Sequence, residues 1–365
     1  LDNLSVKLAK AEKPVFLKSI ELDSGVVVYL VSTEMFCKSY EVYGEDDLTR
    51  FLFFCRAVVE ILKNLDWQPD IVHCHDWHTA LIPLWLRKGK CECATVFTIH
   101  NLAYQGTFDR RFLSRFGLKE DWQSWPASAE KPPLNFMSQG ILWSDILTTV
   151  SETYAGEILT PEYGMGLDAL LRFRQKELFG IINGLDYDKY NPASDSFLAA
   201  NYDSSTLTKK ALNKLALQRK VGLQENEKVP LIGMVSRLDE QKGFDILLDT
   251  FDSMLQRTSA QLVILGRGKE YYQAKLVYVA ERYPQRVAIL LTFDEALAQL
   301  VYGGCDIFLM PSRFEPCGLG QLMAYRYGTV PIVRHTGGLA DTVQDLADDL
   351  KRGTGFVFTE YSPES

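Results

Sequence analysis

Residues 229–255 read VPLIGMVSRLDEQKGFDILLDTFDSML. An apolar run at 231–235 stops at a polar, charged loop, and a helical stretch follows at 244–256. The run is short, rich in Val, Ile and Leu, and barely alternates, which is how a strand covered on both faces reads. Strand, loop and amphipathic helix together make half of a parallel crossover unit.

The same unit recurs. Runs at 70–74, 95–99, 146–150, 178–182, 261–265, 287–291, 307–310 and 329–333 share its composition, with helical stretches between them, as at 48–65. Alternating strands and helices predict an α/β, doubly wound architecture with parallel sheets. A chain of 365 residues suits two such domains. The stretch 184–229 holds Pro192, an Asp- and Ser-rich patch and a Lys-rich helix near 208–221. It is the expected hinge and entry to the second domain.

Composition narrows the partners. An apolar fraction of 47% provides for a sizeable core. A formal net charge of −8 disfavours a protein that tracks nucleic-acid phosphates. An anionic nucleotide would have to be held by local groups rather than by the overall field. Seven cysteines in this length do not form a disulfide framework. Cys37, Cys55, Cys74 and Cys305 sit in apolar or mixed runs, as buried free thiols do, and imply a reducing compartment. Cys91 and Cys93 lack further partners and read as an exposed turn, not a metal or redox centre. No apolar stretch approaches the roughly 18 residues that span a bilayer. No signal peptide is visible, and a chain opening on Leu1 reads as a fragment.

Open α/β sheets bind ligands at the carboxyl ends of their strands. The residues just after the runs are 73–78, 100–105, 151–153, 183–186, 236–243, 266–268, 293–295, 312–321 and 335–342, and they hold almost every chemically special side chain. HCHDWH at 73–78 places His73 and His75 on one strand face. It reads as a hydrogen-bonded strand end in preference to a metal site, and Asp76 is either a ligand contact or a helix N-cap. His100, Asn101, Tyr104 and Gln105 can all bond sugar hydroxyls, and the Tyr ring can pack on a pyranose. Gly266 and Gly268 form a tight strand–helix turn near a nucleotide, without the third glycine of a dinucleotide fingerprint. Arg237 and Lys242 bring two cations into one loop, which suits a diphosphate. In SRFEPCGLGQ, residues 312–321, Pro316 holds Glu315 extended and the glycines open the backbone to a ligand.

HCHDWH (73–78), TIHNLAYQG (98–106), INGLD (182–186), SRLDEQKG (236–243), RFEPCGLGQ (313–321) and RHTGGLADTV (334–343) together resemble the glycogen synthases of bacteria and the starch synthases of plants and algae. The resemblance runs co-linearly over nearly the whole chain. It implies a GT-B fold: two Rossmann-like domains, 1–182 on the acceptor side and 183–365 on the nucleotide-sugar side, with the active site in the interdomain cleft. It implies a retaining glucosyltransferase that moves glucose from ADP-glucose to the non-reducing end of an α-1,4-glucan, without metal or cofactor. The partners implied are the nucleotide sugar and the glucan, with no nucleic acid and no membrane. The compartment implied is bacterial cytoplasm or plastid stroma. Nothing in the sequence bears on oligomeric state.

Position by position, Arg237 and Lys242 match the family's cations on the donor diphosphate. Glu315 matches its essential carboxylate beside the transferred glucose. His100 and Asp76 match residues around the donor sugar and reacting centre. Cys317, Gly318 and Leu319 fall in the donor loop, Asn183 at the domain crossing, and Asn101, Tyr104 and Gln105 along the acceptor path. Phe293 and Gly320 stand where relatives often carry Tyr and a larger side chain; Phe293 keeps a ring to stack on a base. The family's early Lys-x-Gly-Gly-Leu loop and first strand are absent here, as are its terminal helices. That departure raises a second reading, a catalytically weak glucan-binding relative. A nucleotide-linked oxidoreductase is a third, disfavoured by the missing glycine and ribose acid.

Overall fold

The computed structural model describes residues 4–8, 11–36, 43, 44, 46–115, 118, 122, 123, 125, 133–347 and 350–365. Cys37 lies outside the described residues. The chain divides into two compact units, Leu1–Val150 with Ala155–Gly180, and Ser151–Tyr154 with Ile181–Ser365.

The first unit opens with an antiparallel meander, β1 (Leu4–Leu8), β2 (Ala11–Glu21) and β3 (Val27–Ser32). Val6 and Val15 are buried while Phe16, Ile20 and Leu30 are exposed, so only part of this sheet meets a core. The charged and polar residues spaced through β2 hide it from a search for apolar runs. A parallel sheet follows, built from β4 (Ile71–His75), β5 (Ala94–Ile99), β8 (Ile146–Thr149) and β9 (Leu178–Gly180), in the order β4-β5-β8-β9. Between β5 and β8, β6 (Thr107–Phe108) and β7 (Leu134–Asn135) form a two-stranded ribbon. The helix Asp47–Asn64 buries Leu48, Leu52, Phe53, Cys55, Val59 and Ile61 along one stripe.

The second unit carries a six-stranded parallel sheet of β10 (Leu231–Val235), β11 (Gln261–Leu265), β12 (Val287–Leu290), β13 (Ile307–Met310), β14 (Val330–Arg334) and β15 (Phe356–Phe358). Their order is β12-β11-β10-β13-β14-β15. All five residues of β11 are buried, Leu262 and Ile264 in one core and Val263 and Leu265 in another. Alternate side chains thus feed opposite layers, which accounts for an apolar run without alternation. The helix Lys210–Lys220 opens the approach to β10, as the Lys-rich stretch predicts. Chain order reverses between β10 and β13, and a crevice opens at the carboxyl ends of the strands at such a switch point.

The buried thiols give the fold a pH signature. Burial pushes Cys74 and Cys305 up to about 12, and raises Cys55 further. A raised folded value contributes stability that is intact below the unfolded thiol range and is lost as pH climbs through the folded one. Tyr202, Tyr302 and Tyr327 are raised by burial in the same sense. Lys210, lowered to about 8 by burial, works in the opposite sense. The thiols and phenols outnumber it, so Tm is expected to fall steadily once pH passes the ordinary thiol range. Cys305→Ala should flatten that decline; calorimetry between neutral and alkaline pH measures both.

Candidate active site

Two loops meet at the switch point of the second unit. After β10, the chain turns through Arg237 into a short helical turn, Glu240–Lys242, where the Asp239 carboxylate accepts from the Lys242 backbone N–H at 3.3 Å. After β13, Ser312 leads to Glu315. Lys242 Nζ donates to Glu315 Oε2 at 2.6 Å, and Ser312 Oγ donates to the same oxygen at 3.0 Å. The Glu315 side chain is 8% exposed and that of Lys242 18%, so the pair is largely withdrawn from water. The carboxylate therefore does not project from a loop tip, as Pro316 alone leads one to expect; it is folded against its cation. A buried charge requires such a partner. The loops are stitched together by Arg313 N–H donating to Gln241 O at 2.8 Å.

Arg237 is half-exposed and leans on its own loop, 3.3 Å from both Asp239 Oδ2 and Gln241 Oε1. With Lys242, Glu315, Ser236, Leu319 and Gly320 it lines a cavity of about 280 Å³. A second cavity of about 530 Å³ shares Val235, Ser236 and Arg237 and continues past Gly266 to Phe293 and Asp294. Phe293 is 95% exposed, which leaves a ring face open at the far end. Gly266 is there because a Cβ would lie 1.8 Å from Ser236 O; only glycine lets the two strand ends touch. Lys189 and Glu295 pair at 2.5 Å on the rim.

The Glu315 loop is braced from behind. Gly338 N–H donates to Glu315 O at 3.0 Å, and a Cβ on Gly338 would lie 1.9 Å from Cys317 O. Ser151 Oγ donates to Pro316 O at 2.6 Å. Cys317 is buried, its carbonyl accepts from Gln321 Nε2, and burial raises its thiol. Leu319 and Gly320 reach the cavity; Cys317 and Gly318 shape the loop instead. Asn183 sits against Cys317 through its backbone, but it lines a separate cavity of about 460 Å³ with Tyr187, Tyr325 and Arg326.

In the first unit, Asp76 and His100 stand at the carboxyl ends of β4 and β5. Asp76 Oδ1 accepts from the His100 backbone N–H at 2.8 Å and caps no helix. Burial holds its carboxyl above the ordinary range, against that hydrogen bond. Tyr104 is exposed beyond His100. Gln105 is spent inside the loop: Nε2 donates to Met165 O at 3.0 Å and Oε1 accepts from Asn135 at 2.5 Å. Asn101 Oδ1 accepts from Ala103 N–H at 3.0 Å. Cys91 and Cys93 are partly buried, with sulfurs 2.9 Å apart. Among the described residues no group of three His, Cys, Asp or Glu could hold a metal ion, and no helix is long and apolar enough to cross a membrane.

Residues 2–173 match the family model "Starch synthase catalytic domain", and residues 218–365 match "Glycosyl transferases group 1". A glycogen synthase of Moorella thermoacetica is 47% identical over 94% of this chain and 72% of its own length. One of Thermotoga maritima is 45% identical over 99% of this chain and 76% of its own length. The chain belongs to the glycogen and starch synthase family. The catalytic domain of starch synthase IV from Arabidopsis thaliana, solved bound to ADP and acarbose, superposes with a TM-score of 0.91 at 35% identity, covering 100% of this chain and 78% of that one. This synthase is a glycosyltransferase of GT-B type, a glucosyltransferase that elongates a glucan.

A reading of strand ends gives three features of the synthase site only in part. Ser312 looks like an ordinary turn residue until it is seen on Glu315. The glycine pair 337–338 carries a signal, since adjacent glycines after a strand mark close backbone approach. His73 and His75 are legible as a shared strand face, but the contact of His75 with His100 spans 25 residues and has no local mark.

Proposed function

We propose that this synthase uses ADP-glucose, with Arg237 and Lys242 on the donor diphosphate, Glu315 beside the glucosyl group, and Gly266 and Phe293 at the nucleoside. The observation that carries the reading is the Lys242–Glu315 pair at 2.6 Å in the wall of a cavity that continues to an exposed aromatic ring. A diphosphate needs cations, a developing sugar cation needs a carboxylate, and an adenine needs a flat face. ADP bound to the starch synthase IV relative supports the nucleotide.

In this reading the C1–O bond to the β-phosphate breaks while Arg237 and Lys242 take up the charge growing on ADP. The acceptor's 4-hydroxyl adds to C1 on the face that the phosphate leaves, so configuration is retained, and its proton passes to a phosphate oxygen. Glu315 stabilises the oxocarbenium-like centre without forming a bond. Asp76 and His100 offer polar contacts to a sugar, and Asn101 and Tyr104 contacts to the acceptor. Gln105, whose amide is already engaged, holds the loop in place. The positive charge on the diphosphate comes from side chains, so no metal is required. The compartment is bacterial cytoplasm or plastid stroma, where free thiols persist.

Radiolabelled glucose incorporation into glycogen tests this. ADP-glucose is expected to support transfer, undiminished by a chelator, well above UDP-glucose. Equal rates from both donors, or loss of transfer on chelation, would contradict it.

A further inference from the structure

β4 and β5 run parallel with His75 opposite Thr98, so side chains at their carboxyl ends meet. His73 and His75 stack at 4.2 Å. His75 then reaches across: its Nδ1 lies 3.0 Å from Nε2 of His100, with the rings 5.2 Å apart. Behind them His73 Nε2 bonds Thr98 Oγ1 at 2.6 Å, and Thr98 Oγ1 bonds the buried Thr148 Oγ1 at 2.6 Å. His100 is thus gripped at both ends, on its ring by His75 and on its backbone N–H by Asp76. Asp76 adopts φ +56, a left-handed conformation costly for a residue with a Cβ. Its own N–H donates to Thr98 O at 2.9 Å. Such strain persists where surrounding structure over-determines it, and it gathers at functional sites.

We propose that His75 is a positioning residue for the transfer reaction, its Nδ1 holding Nε2 of His100 so that His100 keeps one tautomer and presents Nδ1 to a sugar hydroxyl. The proposal rests on the reading of His100 as a sugar-facing residue. In a hydrogen bond between two imidazoles one nitrogen carries the proton and the other accepts it, so the nitrogen that holds the proton across this contact sets the role left to the free nitrogen of His100. Burial and the neighbouring histidines hold His73 and His75 below the ordinary imidazole range, which keeps both rings neutral near pH 7. A second-sphere partner that fixes a histidine tautomer acts the same way behind metal-bound imidazoles.

The contacting atom allows an atom-specific test. In His75→Asn the side-chain amide falls where Nδ1 was; in His75→Gln it falls where Nε2 was. H75N is expected to keep kcat within about threefold of the parent, and H75Q to lose about tenfold or more, the scale of a misplaced catalytic contact. KM for ADP-glucose should move little in either. Imidazole ¹⁵N spectra should show His100 as one tautomer in the parent and H75N, and as a mixture in H75Q. The two variants behaving alike, both active or both impaired, would overturn the proposal. His100→Ala separates the layers. Parental kcat in H100A removes the sugar-facing reading itself. An inactive H100A beside two unimpaired His75 variants removes only the positioning role.

Discussion

Lys242→Met is expected to lower kcat for glucosyl transfer by about 10²–10³-fold, the usual effect of deleting one preorganised group that meets developing charge. The same substitution strands Glu315. Its carboxylate is 8% exposed and, among the described residues, keeps Ser312 as its donor. Removing one partner of a fully buried pair costs roughly 3–5 kcal/mol. The loss here should be smaller, because Lys242 is 18% exposed and water can reach the gap. Glu315→Gln/Lys242→Met then separates the two effects. Neutralising both members should return much of the lost Tm, since no unpaired charge remains, and should return none of the activity. Stability and kcat moving together through this double-mutant cycle would show that the pair is only a structural bridge.

Gly338→Ala should be among the most damaging small substitutions in the second unit. The new Cβ would lie 1.9 Å from Cys317 O, 2.5 Å from its carbonyl carbon and 2.6 Å from its Cα. All three are backbone atoms, so no side chain can swing away. The loop must shift, and with it Glu315, whose carbonyl accepts from Gly338 N–H. Overpacking of this kind costs about 1–3 kcal/mol. A displacement near 1 Å at the carboxylate lowers transfer by about 10²-fold. Gly156→Ala is the control: nothing lies within 4 Å of its Cβ position, and it sits in the helix Glu152–Glu157. That change should leave activity alone and raise stability by up to about 1 kcal/mol. Thermal melts and initial rates on both variants decide it.

How much of this was readable in advance follows from burial. The runs at 231–235, 261–265 and 307–310 coincide with β10, β11 and β13, and the helix expected at 244–256 ends one residue later, at Arg257. These elements are packed in the interior, so their composition alone marks them. β1 and β2 are unmarked because strands with exposed, charge-bearing positions have no such composition, whereas β3, VVYLVS, is an apolar run missing from the expected strands. In the site, Arg237, Lys242 and Glu315 are expected together, since each follows an apolar run and matches a donor-site motif of the family. Their pairing was not readable. Nothing in SRLDEQKG or SRFEPCGLGQ says that Lys242 reaches Glu315 across 73 residues, or that Ser312 turns back onto it. Asp76 could have been a cap from its place before a helical turn; its left-handed backbone and its bond to His100 decide otherwise. Gln105 reads in sequence as free for a sugar, but Met165 and Asn135 occupy its amide.

The donor diphosphate is proposed to lie between Arg237 and Lys242, in front of Glu315. A crystal structure of the protein with ADP tests it most directly. Phosphate oxygens within about 3 Å of the Arg237 guanidinium and the Lys242 ammonium, the distance of charge-assisted hydrogen bonds, with adenine against Phe293, is the predicted result. ADP seated elsewhere, as in the cavity beside Asn183 and Tyr187, with Lys242 still closed on Glu315, would contradict it.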